Sequence, residues 1–475
     1  MSRNLKLHTV MKASGIEWLG DIPMSWEVRR NGRLFSQRNE TGFSHLPILE
    51  VSLKTGVRIR DFNKADRKQV MTDLEKYKRA ISGDIAYNTM RMWQGAVGIV
   101  PADGLISPAY VIAQPFPETN AKYFNYLFKT PAYMQEIDNH SRGIVKDRNR
   151  LYWEYFKAIP SCFPPPYEQD AIVRYLDHVD IRVRRLMKSK QKLIVLLDEQ
   201  KQAIIHGAMT RGLDPDVPLK DSGIEWLGKM PIHWEIWQLG RIGSFSKGSG
   251  GTKDDEIAVG VPCVRYGDLY TSHNFFIEST KSYVSADRAA DYTPIQYCDI
   301  LFAGSGETIE EIGKSAVNLL AEPACCGGDV IIYRPTIDVD AKYLGLATDC
   351  HRAAYQKSCM GRGVTVMHIY ADELKYLFVT LPPLTEQVAI TKYLGQVTAD
   401  IDNSISRIKS EIKLLGEYIT RLISDVVTGK LDVRDAAAAL PEIDPLIDNE
   451  IANDIDFQID TDLDEFNEDL EEVEA

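Results

Sequence analysis

The sequence predicts an α/β chain of the mixed α+β kind. It is a pseudo-two-fold internal repeat in which two globular domains are separated by two long helices forming an antiparallel coiled coil. Three observations predict this. One motif is written twice, a Pro-Pro then Glu-Gln sequence recurs downstream of each copy, and each recurrence opens a long run of helically spaced apolar residues.

The first motif is Ser14-Gly15-Ile16-Glu17-Trp18-Leu19-Gly20, which recurs unchanged as Ser222-Gly223-Ile224-Glu225-Trp226-Leu227-Gly228. The match extends through Pro23/Pro231, Trp26/Trp234 and Glu27/Glu235, giving 10 identities in 14 positions at an offset of 208. Downstream, Pro164-Pro165 and Glu168-Gln169 are echoed by Pro382-Pro383 and Glu386-Gln387 at an offset of 218. Tyr175-Leu176 matches Tyr393-Leu394, and Thr210 with Leu213-Asp214 matches Thr428 with Leu431-Asp432. The domains read as 1–165, a first helix at 166–212, a second domain at 213–380, a second helix at 381–431 and an acidic tail at 432–475.

Proline suits a helix start. After the first Pro-Pro, a heptad set runs through Leu176, Val179, Val183, Leu186, Lys190, Leu193, Leu197, Gln200, Ile204 and Gly207. After the second it runs through Leu394, Val397, Ile401, Ser404, Ile408, Glu411, Leu415, Tyr418, Leu422 and Asp425. Heptads sustained this far indicate a coiled coil, with Lys190 and Glu411 as polar breaks that set register. The first helix, over residues 168–210, would be roughly 60 Å long.

The middle stretches are not obviously alike. Residues 46–62, 84–87, 96–100 and 109–113 read as strands, and residues 123–137 as a helix. The second stretch has strands at 261–266, 300–303 and 329–334 and a helix near 341–357. A duplicated frame holding dissimilar inserts suggests two modules doing one job on different targets. Trp18, Trp26, Trp226 and Trp234 stand at the same places in both copies and are expected to anchor the core.

The net charge of −13 is unevenly placed. Residues 435–475 hold 16 Asp/Glu and no Lys/Arg, so the remainder carries +3. That removes an objection to a nucleic-acid partner without arguing for one. The tail reads as disordered, with Ile455, Phe457, Ile459, Leu463, Phe466 and Leu470 spaced among acids. No run of apolar residues suits a membrane span, and seven cysteines with no CxxC pair suit a reducing cytoplasm.

Basic residues beside polar and aromatic ones are the candidates for DNA contact, because Arg and Asn/Gln can reach base edges in bidentate fashion. In the first domain these are Arg58, Arg60 and Lys64; Asn88, Arg91 and Gln94 beside Trp93; and Arg142, Lys146, Arg148 and Arg150. In the second they are Lys247, Arg265, Lys314, Arg362 and His368.

SGIEWLG…P..WE, the GDI-YN-M(R)-W-GA-GI pattern from Gly83 to Ile99, SPAY at residues 107–110, PP…EQ…YL and the closing T-x-x-LD occur in order. In this the chain resembles the specificity subunits of type I restriction-modification systems. The resemblance covers about residues 14–432 and excludes the tail. It implies a non-catalytic subunit whose two target-recognition domains each read one half of a gapped site in double-stranded DNA. It also implies helices that space the halves and bind two adenine methyltransferase subunits, which restriction/translocase subunits then join. No cofactor is expected on this chain; the partners would use S-adenosylmethionine and ATP with Mg²⁺. The second half departs from the pattern, with Cys298 in place of Gly83 and no clear SPAY.

Two motifs resemble those of amino-methyltransferases. Residues 299–306 end in Gly304-Ser305-Gly306, like a cofactor loop, and Pro165-Pro166-Tyr167 resembles a catalytic tetrapeptide. The second is preceded by Pro164, so the amide or carboxylate that would hold the target amine is missing. No zinc spacing or nucleotide-binding loop is present.

Overall fold

The computed structural model describes residues 5–53, 55–60, 73–143, 149–224, 227–251, 255–363 and 366–441. The chain forms two compact units. One is Met1–Gln191 with Lys409–Ala475, and the other is Lys192–Ile408. The division falls inside the long helices, so each unit holds a globular domain together with the start of one helix and the end of the other.

The repeated SGIEWLG is the tip of a hairpin. Strands Met11–Ala13 and Asp21–Pro23 pair in the first unit, and Leu219–Asp221 and Lys229–Pro231 in the second. The Ser14 hydroxyl accepts the Ile16 N–H at 3.0 Å, and Ser222 accepts that of Ile224 at 3.1 Å. Gly15 and Gly20 sit at φ 75° and 66°, in the left-handed region that side chains avoid. The motif recurs because the turn requires it. Glu225 and Trp226 lie outside the described residues.

The next repeated element, Glu27–Arg30, pairs antiparallel with Pro160–Phe163, and Glu235–Gln238 pairs likewise with Phe378–Leu381. Each domain thus closes on itself just before its Pro-Pro. The long helices run Pro166–Arg211 and Leu384–Val427, 46 and 44 residues.

The Glu-Gln pair at each helix start fastens the domain to it. Trp26 is fully buried, and its indole N–H donates to Glu168 Oε2 at 2.5 Å. Trp234, equally buried, donates to Glu386 Oε1 at 3.1 Å. Gln169 accepts the Asn120 N–H at 2.8 Å and donates to the Pro164 carbonyl at 2.8 Å. Gln387 does the same for Asp340, at 3.0 Å, and Pro382, at 2.8 Å. Trp18 packs edge-on against Tyr133 at 5.2 Å, so the described tryptophans of the motif are core residues as expected.

The two inserts share one sheet despite their unlike sequences. In the first unit the strand order is Val97–Ile99, Ile85–Asn88, Tyr110–Pro115, Phe35–Gln37, all antiparallel. In the second, Ser315–Asn318, Ile300–Ala303, Val330–Pro335 and Gly243–Lys247 stand in the same order. Phe275–Ile277 is added in parallel at one edge, and a further five-stranded sheet holds Val261–Val264 and Ala324–Cys326. The departure at Cys298 keeps the same backbone turn, at some cost in strain for a residue with a side chain: Gly83 has φ 91° and Cys298 φ 72°. Each is followed by a buried aspartate. Asp84 accepts from Arg38 at 2.8 Å, and Asp299 from Arg334 at 2.7 Å through both Nε and Nη2.

Both single helices expected after the sheets are broken in two. Ala121–Phe128 is followed by Pro131–His140, with Thr130 capping the second. Ala341–Asp349 is followed by His351–Met360.

The heptads need correction from Leu186 onward. The buried or half-buried positions are Leu176, Val179, Val183, Met187, Lys190, Ile194, Leu197, Lys201, Ile204 and Ala208. Leu186 and Leu193 are exposed. The second helix shows the same pattern at Leu394, Val397, Ile401, Ile405, Ile408, Ile412, Leu415, Ile419, Leu422 and Val426. In both, the first eleven residues step 3-4-4 before strict heptads begin, which moves every second member of the stripe by one position and leaves Lys190, Leu197, Ile204, Ile408, Leu415 and Leu422 where expected. Glu411 accordingly lies beside the stripe rather than in it.

The acidic tail also begins later than expected. Leu431–Asp432 pairs with Lys6–Leu7, and Arg434–Ala438 is a short helix. Val433 and Ala437, one turn apart, are buried in the core of the first unit with Trp26 and Val427. That apolar pair holds residues 432–440 to the domain. Residues 442–475 lie outside the described residues.

Candidate nucleic-acid interface

In each unit one hairpin is pinned to the end of a central strand. In the first, Arg142 and Arg150 form an antiparallel bridge, with N–H···O bonds of 3.1 and 2.9 Å in the two directions. The next residue, Leu151, donates its N–H to the Thr89 carbonyl at 2.8 Å, and the Thr89 hydroxyl donates to the Ala109 carbonyl at 3.0 Å. This brings Arg142 and Arg150 to the turn that carries Asn88, Arg91 and Gln94, and to the SPAY segment. Both arginine side chains are exposed, and the Arg142 guanidinium lies 5.8 Å from the Tyr155 ring centroid. Lys146 and Arg148, between them in sequence, lie outside the described residues.

The second unit repeats the device. Arg362 pairs with His368, and Ile369 donates its N–H to the Gly304 carbonyl at 3.0 Å. The His368 Nδ1 is 3.0 Å from the Ser305 hydroxyl, and its ring stacks on Tyr370 at 6.3 Å. Arg362 is exposed and within 3.5 Å of Glu373. Lys247 lies at the same end of the sheet, where it and Phe302 flank Ile331.

Other candidates stand apart or are engaged elsewhere. Arg58 is ion-paired with Glu50 at 2.5 Å on a hairpin that backs Gly98, and Arg60 closes the same hairpin through its N–H to Ile48. Lys64 lies outside the described residues. Arg265 pairs with Glu256 at 2.9 Å. Lys314 is held by Asp349 at 2.8 Å and lies over the Phe275 ring. Trp93 donates to the Met90 carbonyl at 2.9 Å and packs on the core. Asn88 accepts from the Met90 N–H at 2.9 Å, so its amide oxygen shapes the turn.

Tyr152, Tyr370 and Thr89 were not singled out from sequence, and Ser305 stood out only as part of the cofactor-like loop. The two tyrosines are 48% and 58% exposed, directly after the pinning residue. A signal for them existed: Arg150-Leu151-Tyr152 and His368-Ile369-Tyr370 stand at the same offset of 218 as the helix motif.

The methyltransferase-like motifs have structural duties. Ser305–Gly306 is a strand paired with Met367–His368, and the Gly304 N–H donates to the Asp329 carbonyl at 2.9 Å. Asp299 is held by Arg334, and Pro166 opens the long helix. Among the described residues no helix is long and apolar enough to cross a membrane.

No family model matches the chain. It is 24% identical over 448 residues to the putative type I restriction enzyme MjaX specificity subunit of Methanocaldococcus jannaschii, covering 88% of this chain and 96% of that one. It is 21% identical over 208 residues to the type I restriction enzyme EcoKI specificity subunit of Escherichia coli, covering 43% and 44%. In fold it is similar to a chain from a solved structure of the assembly and conformational transition of the type I restriction-modification system. That match has a TM-score of 0.64 at 15% identity and covers 86% of this chain and 98% of the other. The chain is a homologue of the specificity subunits of type I restriction enzymes.

Proposed function

We propose that the chain is the non-catalytic subunit that reads DNA sequence for a type I restriction-modification complex, each of its two domains reading one half of a gapped site. The supporting observation is the pinned hairpin found twice on one frame: Arg142 with Arg150, and Arg362 with His368. The frame repeats and the side chains it presents differ. That is the pattern expected of two readers with separate targets. Exposed Tyr152 and Tyr370 add a flat contact surface beside each.

The long helices pair antiparallel and fix the distance between half-sites. They carry two adenine methyltransferase subunits, which bring S-adenosylmethionine, and restriction/translocase subunits that bring ATP and Mg²⁺. The complex works in the cytoplasm. The 3-4-4 opening and the heptads recur identically in both helices, which is what pairing about a pseudo-two-fold axis asks for.

The test is to lengthen both helices by the same seven residues at their heptad segments. The expected result is an active complex whose half-sites are unchanged and whose gap is longer. An altered half-site, or an unchanged gap in an assembled complex, would contradict the reading.

A further inference from the structure

The second unit carries a basic pocket outside the hairpin and sheet described above. It opens between the last turns of the first long helix, the Leu219–Asp221 and Lys229–Pro231 hairpin and the helix His351–Met360, with a volume of about 420 Å³. Its polar lining is His206, Thr210, Arg211, Lys229 and Arg352, and among the described residues no carboxylate lines it. The Nη1 of Arg352 is buried and has no hydrogen-bond partner among the described residues. The ring of His351 stands edge-on to His206 at 6.3 Å.

Like charges so gathered repel. Burial and the neighbouring Arg211 pull the Arg352 guanidinium below its ordinary pKa. Burial, then Arg352, His351 and Arg211, do the same to His206. An unpaired, half-desolvated guanidinium costs stability unless an anion completes it. Folding of the frame does not require these charges. At offsets of 218 and 208, His206, Arg211 and Lys229 correspond to Ser424, Gly429 and Asp21, and at the offset of 220 that aligns helix Pro131–His140 with His351–Met360, Arg352 corresponds to Ala132. The first unit builds the same frame without any of them.

We propose that this pocket binds a phosphate group, and that the phosphate comes from the DNA backbone flanking the second half-site. Arg352 offers the planar fork that matches a phosphate, while Lys229 and Arg211 supply point charges at the rim. Affinity for phosphate stands apart from base reading; use of a backbone phosphate rests on the DNA-reading role proposed above.

The test compares the full chain with Arg352→Gln and Lys229→Gln, in inorganic phosphate and in chloride at equal pH and ionic strength. Phosphate is expected to raise the melting midpoint of the unsubstituted chain above its value in chloride. Arg352→Gln should raise the midpoint in chloride, by removing an unpaired charge, and should lose the phosphate response. Equal phosphate responses in the chain and in Arg352→Gln would overturn the site. Duplex binding against salt then separates the sources. For a backbone phosphate, Arg352→Gln weakens binding to all duplexes about equally, several-fold, and lowers the log–log salt slope by about 1. Unchanged duplex binding, with the phosphate response lost, would overturn the backbone source and leave a site for free phosphate. A retained phosphate response in a chain that binds no duplex would sink the DNA-reading role while the pocket stands.

Discussion

Lys190 of the first long helix and Glu411 of the second form an ion pair, with the lysine in the helix seam and the glutamate on its flank. Within the second unit Lys201, also in the seam, pairs with Asp402 at 2.6 Å. The matching seam positions of the second helix are Ile408 and Ile419. A lysine in an apolar seam lowers stability but favours the one alignment that supplies its acid.

Replacing Lys190 with leucine should therefore raise stability by about 1–2 kcal/mol and loosen the alignment. Glu411→Ala should lower it by about 1 kcal/mol or less, because the glutamate is more than half exposed. Thermal midpoints read the first effect. Spin-label distances between the helices read the second, as a broader distribution in Lys190→Leu. A lower midpoint for Lys190→Leu would sink this account of the pair.

The fastening of each domain makes a ranked prediction. Glu168 is almost wholly buried and holds Trp26 at 2.5 Å and Arg434 at 3.2 Å. Glu386 is more exposed and holds Trp234 at 3.1 Å. Glu168→Ala should destabilise the first unit by about 2–4 kcal/mol, and Glu386→Ala the second by about half as much. Hydrogen exchange in each unit measures both; the reverse order would contradict the roles given to the pair.

These fastenings show how much could be read in advance. The repeated Trp, Pro-Pro and Glu-Gln were legible because the same contacts are needed twice, so the same residues recur. The phase of the seam beyond Val183 was not. Leu186 and Met187 are both apolar, and only packing against the other helix selects Met187. The common sheet was hidden because strands such as Ile85–Asn88 and Ile300–Ala303 need only apolar residues of about the right size. Residues 432–440 were masked by the acidic composition that follows them, although Val433 and Ala437 have helical spacing. The hairpins were half legible: Arg142, Arg150, Arg362 and His368 stand out as candidates, whereas the bond from Leu151 to Thr89 is tertiary.

Stability should fall as pH drops below about 7. Burial is the first cause that lowers the pKa of His8, His206 and His273 from the ordinary 6.5. Between their folded values and 6.5 the unfolded chain binds more protons, so stability rises with pH there and is lost on acidification. His206→Gln with His273→Gln should flatten the fall. A midpoint insensitive to pH between about 7.5 and 5.5 would contradict this. A second loss follows further down. The Arg434 hydrogen bond holds Asp432 below its ordinary 3.8, so that contribution is present above 3.8 and disappears as pH falls through the folded value.

The hairpin residues should separate the two half-sites. His368→Ala should relax base preference in the second half-site alone, by about 1–3 kcal/mol at the affected position. Arg150→Ala should act only on the first. Binding to duplex panels randomised in one half at a time reads this directly, and a loss shared equally by both halves would place these residues on phosphates instead.

The most direct measurement is a genome-wide map of methylated adenines in cells that express the chain with an adenine methyltransferase subunit of the proposed complex, before and after exchange of residues 239–377 for those of a relative. The account expects a new two-part motif with a fixed gap, of which one half changes on exchange while the other half and the gap stay. A single undivided motif, or an exchange that alters both halves, would contradict it.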